Sequence, residues 1–250
     1  MASAAPLYKA LPAPRFSWAG PYVGVHAGAT WGTEEWDLSS YQRTNPPGLT
    51  LTPDKTSTHT LNGFLGGVQA GFNWQMDWVV FGAEAQFSWS NASGHGRCIE
   101  ETNVGDIDFK CNTKVDYLGT AAGRLGGSVG SALLYVKGGA AWVHNSYSIT
   151  SGLEGAPPIS SPQASVTDTR WGWMLGTGVE FAFTPNWSAK AEYDYLDFGT
   201  KQYTFAAPGT VILGGGQVEF NVDIRQRMHL IKAGLNYHFD YGKTPVRANY

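Results

Sequence analysis

From residue 18 to residue 239 the chain repeats one pattern: segments of about eleven to fourteen residues whose side chains change character at every second position. A period of two puts successive side chains on opposite faces of a β-strand, and no convincing helical period interrupts it. The segment 79–90 shows the rule best. Val79, Phe81, Ala83, Ala85, Phe87 and Trp89 share one parity; Gly82, Glu84, Gln86, Ser88 and Ser90 share the other. Segments 171–183, 187–195 and 231–239 alternate as cleanly, and 23–31, 62–74, 115–126 and 133–146 less tidily. The reading predicts eight strands.

The connections alternate in length. Long ones cover 33–61, 91–114, 147–169 and 199–225; short ones cover 75–78, 127–132 and 184–186. Antiparallel neighbours accept tight turns. Eight strands running up and down therefore put every short turn at one end and every long loop at the other. A length of 250 residues suits a single all-β domain.

Two eight-stranded barrels compete. A soluble, lipocalin-like barrel turns its apolar parity inward, whereas a membrane barrel turns it outward. The polar parity carries Glu84, Arg124, Lys137, Glu180, Lys190, Glu192 and Lys232, and is otherwise mostly Gly, Ala, Ser, Thr, Gln and Asn. A soluble exterior normally holds more charge, and only 15% of this chain is charged against about 25% in ordinary domains. The aromatic residues gather at the strand ends. Tyr22, Phe72, Trp74, Phe183, Trp187, Tyr237 and Phe239 lie near the short turns; Trp31, Trp89, Tyr117, Trp142, Trp171, Trp173, Tyr193 and Tyr195 lie near the long loops. Two girdles around an aliphatic band match the two headgroup levels of a bilayer. The expectation is an eight-stranded antiparallel up-and-down transmembrane β-barrel. No run approaches 18 uninterrupted apolar residues, which excludes a spanning helix. A net charge of −3 argues against nucleic acid as a partner.

The stretches WAGPYVGVHAG, GGVQAGFNWQ, VFGAEAQFSWS, YLGTAAGRLG, TPNWSAKAEYDYLDFG and LIKAGLNYHF together resemble the small porin-like, opacity-type outer-membrane proteins of alphaproteobacteria. The likeness covers about 18–239. It implies an eight-stranded barrel in the Gram-negative outer membrane, with short periplasmic turns and long extracellular loops. Members are abundant surface proteins, some described as porins and some as hemin binders. The resemblance also implies outer-membrane lipid, lipopolysaccharide and the barrel-insertion machinery as partners. Barrels of this kind often end at the terminal aromatic, but here DYGKTPVRANY follows Phe239.

The domain reading is a flexible periplasmic segment over 1–17, the barrel over 18–239 and a periplasmic tail over 240–250. Residues 1–15 have no apolar signal core and read as the start of a processed secreted chain behind an added Met. Eight strands leave an interior that side chains fill. The seven lumen ions, three acidic and four basic, should therefore pair and plug the tube; the competing reading is the lining of a narrow pore. Cys98 and Cys111, with twelve residues between them in one polar loop, suit a disulfide in an oxidising compartment; the alternative is two unrelated thiols.

Catalysis is not expected. His144 and Ser146 share the outward parity near the rim, a faint likeness to lipid A deacylase barrels, but no carboxylate can be placed beside them from sequence. His26, His59, His95, His144, His229 and His238 are scattered without metal-ligand spacing, so no metal or cofactor is expected and hemin binding rests on the resemblance. The loops carry Trp36, Tyr41, Tyr203 and Phe205; the simplest reading is a hydrated surface cover, and the alternative is a seat for a host or cell-surface ligand. Glu100, Glu101, Asp106 and Asp108 read either as a solvated charge run or as a seat for cations bridging lipopolysaccharide.

Overall fold

A computed structural model describes residues 16–43, 50–51, 56–101, 107–153, 164–208 and 217–239. These form ten strands: β1 (Gly20–Arg43), β2 (Thr50–Leu51), β3 (Thr56–Met76), β4 (Val79–Ser90), β5 (Ser93–Glu101), β6 (Ile107–Val129), β7 (Ala132–Leu153), β8 (Ala164–Ala182), β9 (Trp187–Pro208) and β10 (Gln217–His238). Eight close into a ring in the order β1-β3-β4-β6-β7-β8-β9-β10, every neighbour antiparallel, with β1 paired back onto β10. β2 lies on β1, and β5 takes the place of β4 in the ring beyond Ser90. Two short connections turn on residues with positive φ, Asp77 at 54° and Gly130 at 61°.

The strands are longer than the sequence reading allows. β1 has 24 residues, β6 23 and β10 22, where about 9–11 cross a bilayer. Much of 33–61, 91–114, 147–169 and 199–225, read as loop, is strand that carries the ring past the long-loop girdle. The cause is a change of solvent. Inside the bilayer the outward parity is apolar; beyond it the outward parity meets water, and the apolar residues move to the inner face. In β6, Cys111, Thr113 and Val115 point in, while Lys110 and Lys114 are exposed. A pattern that inverts along one strand looks like lost periodicity.

Fourteen of the fifteen girdle residues face outward. Trp31, Trp74, Trp89, Trp171, Trp173, Phe183, Trp187, Tyr193 and Phe239 are exposed on the outer wall. Phe72, Tyr117, Trp142, Tyr195 and Tyr237 are half-buried against neighbouring rings or strands. Tyr22 is the correction. It belongs to the even, inward parity of β1 and is 1% exposed. Its ring lies over Gly71, where a Cβ would meet the Tyr22 hydroxyl at 2.4 Å. Only a residue without a side chain leaves that space.

Candidate functional site: the lumen

The inward side chains are stacked in layers that β10 samples in order. From the short-turn end upward, His238, Asn236, Lys232, Leu230, Met228, Gln226, Ile224 and Val222 are all buried. The lowest layer is a lid. Trp18 is fully buried with Val80, Leu133, Tyr135 and Ala182, and Phe16 packs against them. The Trp18 backbone N–H donates to Gln75 Oε1 at 2.7 Å, and its ring meets His238 edge-on at 5.6 Å. Phe16 and Ser17, assigned from sequence to the flexible lead, thus stand at the mouth of the barrel; residues 1–15 and 240–250 lie outside the described residues.

Above the lid sit the ions. Glu84, Arg124, Lys137, Glu180, Lys190, Glu192 and Lys232 are each at most 4% exposed. Arg124 Nη2 donates to Glu180 Oε2 at 2.9 Å, and its Nη1 donates at 2.9 Å to the Tyr22 hydroxyl, which donates in turn to Glu84 Oε2 at 2.8 Å. The guanidinium also stacks 4.0 Å from the Tyr135 ring centre. Glu192 is the hub. Lys137 reaches it at 2.6 Å, Lys232 at 3.0 Å and Lys190 at 3.3 Å, and the Tyr135 hydroxyl donates to it at 2.8 Å.

Sequence reasoning left out Asp194. It is fully buried and lies 2.5 Å from Lys232 and 3.4 Å from Lys137. With it the layer holds four acids and four bases. The signal was available, since Asp194 shares the parity of Lys190 and Glu192. His26, Gln69, Ser88 and Asn236 add neutral hydrogen bonds beside the ions.

The next layer is apolar. Leu61, Leu65, Val115, Leu118, Val143, Met174, Leu196, Phe198, Met228 and Leu230 form one buried cluster with small alanines. Above it comes a mixed layer with Trp36, Tyr147 and Phe205 around Glu34, Arg170, Asn145 and Gln226, all buried. Glu34 Oε2 accepts from Thr113 Oγ1 at 2.5 Å, and burial pushes its carboxyl pKa up despite that bond. Trp36 stacks on Phe205 at 6.0 Å and meets Tyr147 edge-on at 5.8 Å. Trp36 and Phe205, read as loop aromatics, are therefore core. Tyr41 and the acidic run 100–108 have side chains outside the described residues.

The two rim residues turn to different partners. His144 Nδ1 bonds Thr169 Oγ1 at 2.9 Å and stacks on Tyr117 at 4.6 Å, while Ser146 Oγ donates to Asp116 Oδ2 at 3.0 Å. A carboxylate does lie beside the pair, contrary to the sequence reading, but it takes the serine hydroxyl rather than orienting the imidazole. Lys114, 2.7 Å away, holds the Asp116 carboxyl below the usual range. Among the described residues no group of three His, Cys, Asp or Glu side chains is placed to hold a metal. Cys111 is buried on β6, opposite Gly96 of β5; the Cys98 side chain lies outside the described residues.

A family profile described as outer membrane protein beta-barrel domain matches residues 2–239. The 31 kDa outer-membrane immunogenic protein of Brucella melitensis is 33% identical over 232 residues, which cover 92% of this chain and 87% of that protein. Two solved structures share the fold. The outer membrane protease OmpT of Escherichia coli superimposes with a TM-score of 0.52 at 10% identity, covering 88% of this chain and 97% of its own. The outer membrane protein OprG of Pseudomonas aeruginosa gives 0.50 at 14% identity, covering 88% and 97%.

Proposed function

This chain belongs to the outer-membrane protein β-barrel domain family, and from that membership we propose that it is a closed, non-enzymatic surface protein of the Gram-negative outer membrane. The short turns face the periplasm and the long-loop end faces outward. The barrel wall anchors the chain in lipid and lipopolysaccharide, and the extension above the girdle displays its loops.

The observation that carries this reading is the apolar layer over the ion layer. A hydrated solute that passed the salt-bridged ions would next meet Leu61, Leu118, Leu196, Met228 and Leu230 packed together. Paired ions beneath such a layer act as a plug that ties six strands together, not as a selectivity lining. The narrow-pore reading has no comparable support. Against catalysis stands the hydrogen bonding at the rim, where Ser146 and His144 each turn to a different partner. The word immunogenic in the name of the Brucella relative supports a role at the cell surface.

The register also supports a Cys98–Cys111 disulfide bracing the extension. Cys98 falls at the irregularity between Arg97 and Ile99, two residues from the position that faces Cys111. Single-channel recording in planar bilayers tests the closed barrel: the purified protein gives no reproducible conductance step. A stable unitary step from folded protein refutes it.

A further inference from the structure

Within the bilayer every ring neighbour is joined by a backbone ladder. Above it, among the described residues, two of the junctions lose theirs. β8 and β9 pair from Ala182–Ser188 up to Trp173–Asp197; beyond that point β8 pairs only with β7, and β9 only with β10. β3 and β5 share one pair, Asn62–Ser93, while β3 continues along β1 and β5 along β6. The extension is thus two separate sheets, β9-β10-β1-β3 and β5-β6-β7-β8, facing each other across the mixed layer.

The two seams differ. At the β3–β5 seam the backbones abut: a Cβ on Gly94 would lie 2.8 Å from the Thr60 carbonyl oxygen, and one on Gly96 would meet His59 Nδ1 at 2.0 Å. At the β8–β9 seam side chains span the gap. Asp168 of β8 accepts from Lys201 Nζ at 2.5 Å and from the Tyr203 hydroxyl at 2.7 Å, both on β9. Arg170 Nη2 donates to the carbonyl oxygens of Phe198, Gly199 and Ile224 at 3.2, 2.7 and 3.0 Å. Other bonds between the sheets are also side-chain bonds, Thr113 to Glu34 and Asn145 to Gln226.

Side-chain bonds at a partly wet surface are individually weak, whereas a ladder breaks only as a cooperative unit. The chamber between the sheets is imperfectly satisfied as well. Glu34 Oε1, Arg170 Nε and Nη1 and His59 Nε2 are buried without a hydrogen-bond partner. Unsatisfied buried groups lower the cost of letting water in.

We propose that the extracellular extension is a two-jawed clasp, hinged where β3 abuts β5 and latched across the β8–β9 seam by Asp168, that opens at the latch and exposes the Glu34–Arg170 chamber. The apolar layer below stays shut during this motion, because every ring junction at its base keeps its ladder. The clasp adds movement above a barrel that the proposed function treats as closed, and the two stand or fall separately.

Distance measurement between spin labels tests the clasp in the full chain, folded in lipid nanodiscs. Labelled amino acids introduced at Thr167 and Arg225 report across the seam, two strands apart; labels at Thr167 and Lys114 report within one jaw, also two strands apart. All three positions are exposed. The within-jaw pair gives one narrow distance. The seam pair gives a broad or two-peaked distribution whose long component grows at least threefold in Asp168→Asn, while unchanged heat-modifiable migration shows that the variant is folded. A seam distribution as narrow as the within-jaw one, and unmoved by Asp168→Asn, overturns the clasp.

Discussion

Leu230 and Ile231 are adjacent in β10 and face opposite solvents. Leu230 is fully buried in the apolar layer of the lumen; Ile231 is 54% exposed on the outer wall. The pair marks where the pattern changes hands. Below it the apolar residues are Ala233, Leu235 and Tyr237, with Phe239 just past the end of β10, all outward; above it, among the described side chains, they are Met228, Ile224 and Val222, all inward. The same inversion occurs at Tyr195–Leu196, Trp142–Val143 and Phe64–Leu65. It fixes the height at which lipid gives way to water.

That height can be measured by charge. Val25 and Thr33 share the outward parity of β1, on either side of the Trp31 girdle. Val25→Arg is expected to destabilise the barrel by about 2–4 kcal/mol and Thr33→Arg by about 0–1 kcal/mol. Urea unfolding of both variants in vesicles decides it. Equal costs would displace the girdle.

The Glu192 hub makes a coupling prediction. Glu192→Gln removes one acid from three lysines and costs about 3–5 kcal/mol, because the cations left behind are buried without their full complement. The double variant Glu192→Leu with Lys137→Met costs less than the sum of its single changes. Unfolding midpoints of the four proteins in the cycle give the coupling; strict additivity would show that the network does not act as a unit.

Glu34 gives the extension a pH dependence. Burial raises its pKa in the folded state, so the native protein holds that proton more tightly than the unfolded chain does. Its stabilising contribution is therefore full below about pH 4, the ordinary carboxylate value, and is lost as pH rises through the raised value. Glu34→Gln is expected to match the native chain in acid and to exceed it by about 1 kcal/mol at neutral pH. Hydrogen exchange of the β1 and β6 amides above the girdle, followed against pH, reads this directly. A variant less stable at neutral pH would contradict it.

The proposed disulfide is tested by mass. Intact folded protein treated with an alkylating reagent should gain no adduct at Cys98 or Cys111 until it is reduced. Reduction should then weaken the extension by about 2–3 kcal/mol, the loss expected for a loop of this length. Alkylation without reduction would show free thiols.

The membrane-spanning half of the fold was legible because bilayer and lumen impose opposite demands on alternate residues over a fixed length. All seven charged residues singled out from alternation are buried in the lumen. Asp194 shares the parity of Lys190 and Glu192 and is equally legible from it. Tyr22 was misplaced because its aromatic character was weighed above its position; residue number alone puts it inside. The strand extensions, the apolar layer and the pairing of Ser146 with Asp116 were hidden for a different reason. The first two follow from an inversion of the pattern within single strands, and the last from register between β6 and β7, which a bulge between Val115 and Tyr117 shifts.

Tryptophan quenching in vesicles tests the assignment of inner and outer faces most directly. Eight tryptophans are on the outer wall or its edge, and two, Trp18 and Trp36, are fully buried inside. A quencher confined to the lipid phase should remove most of the emission and leave a residue that disappears in a Trp18→Phe, Trp36→Phe variant. Emission untouched by the lipid-bound quencher, from protein that stays monodisperse in buffer without amphiphile, would mean that the aromatic face points the other way.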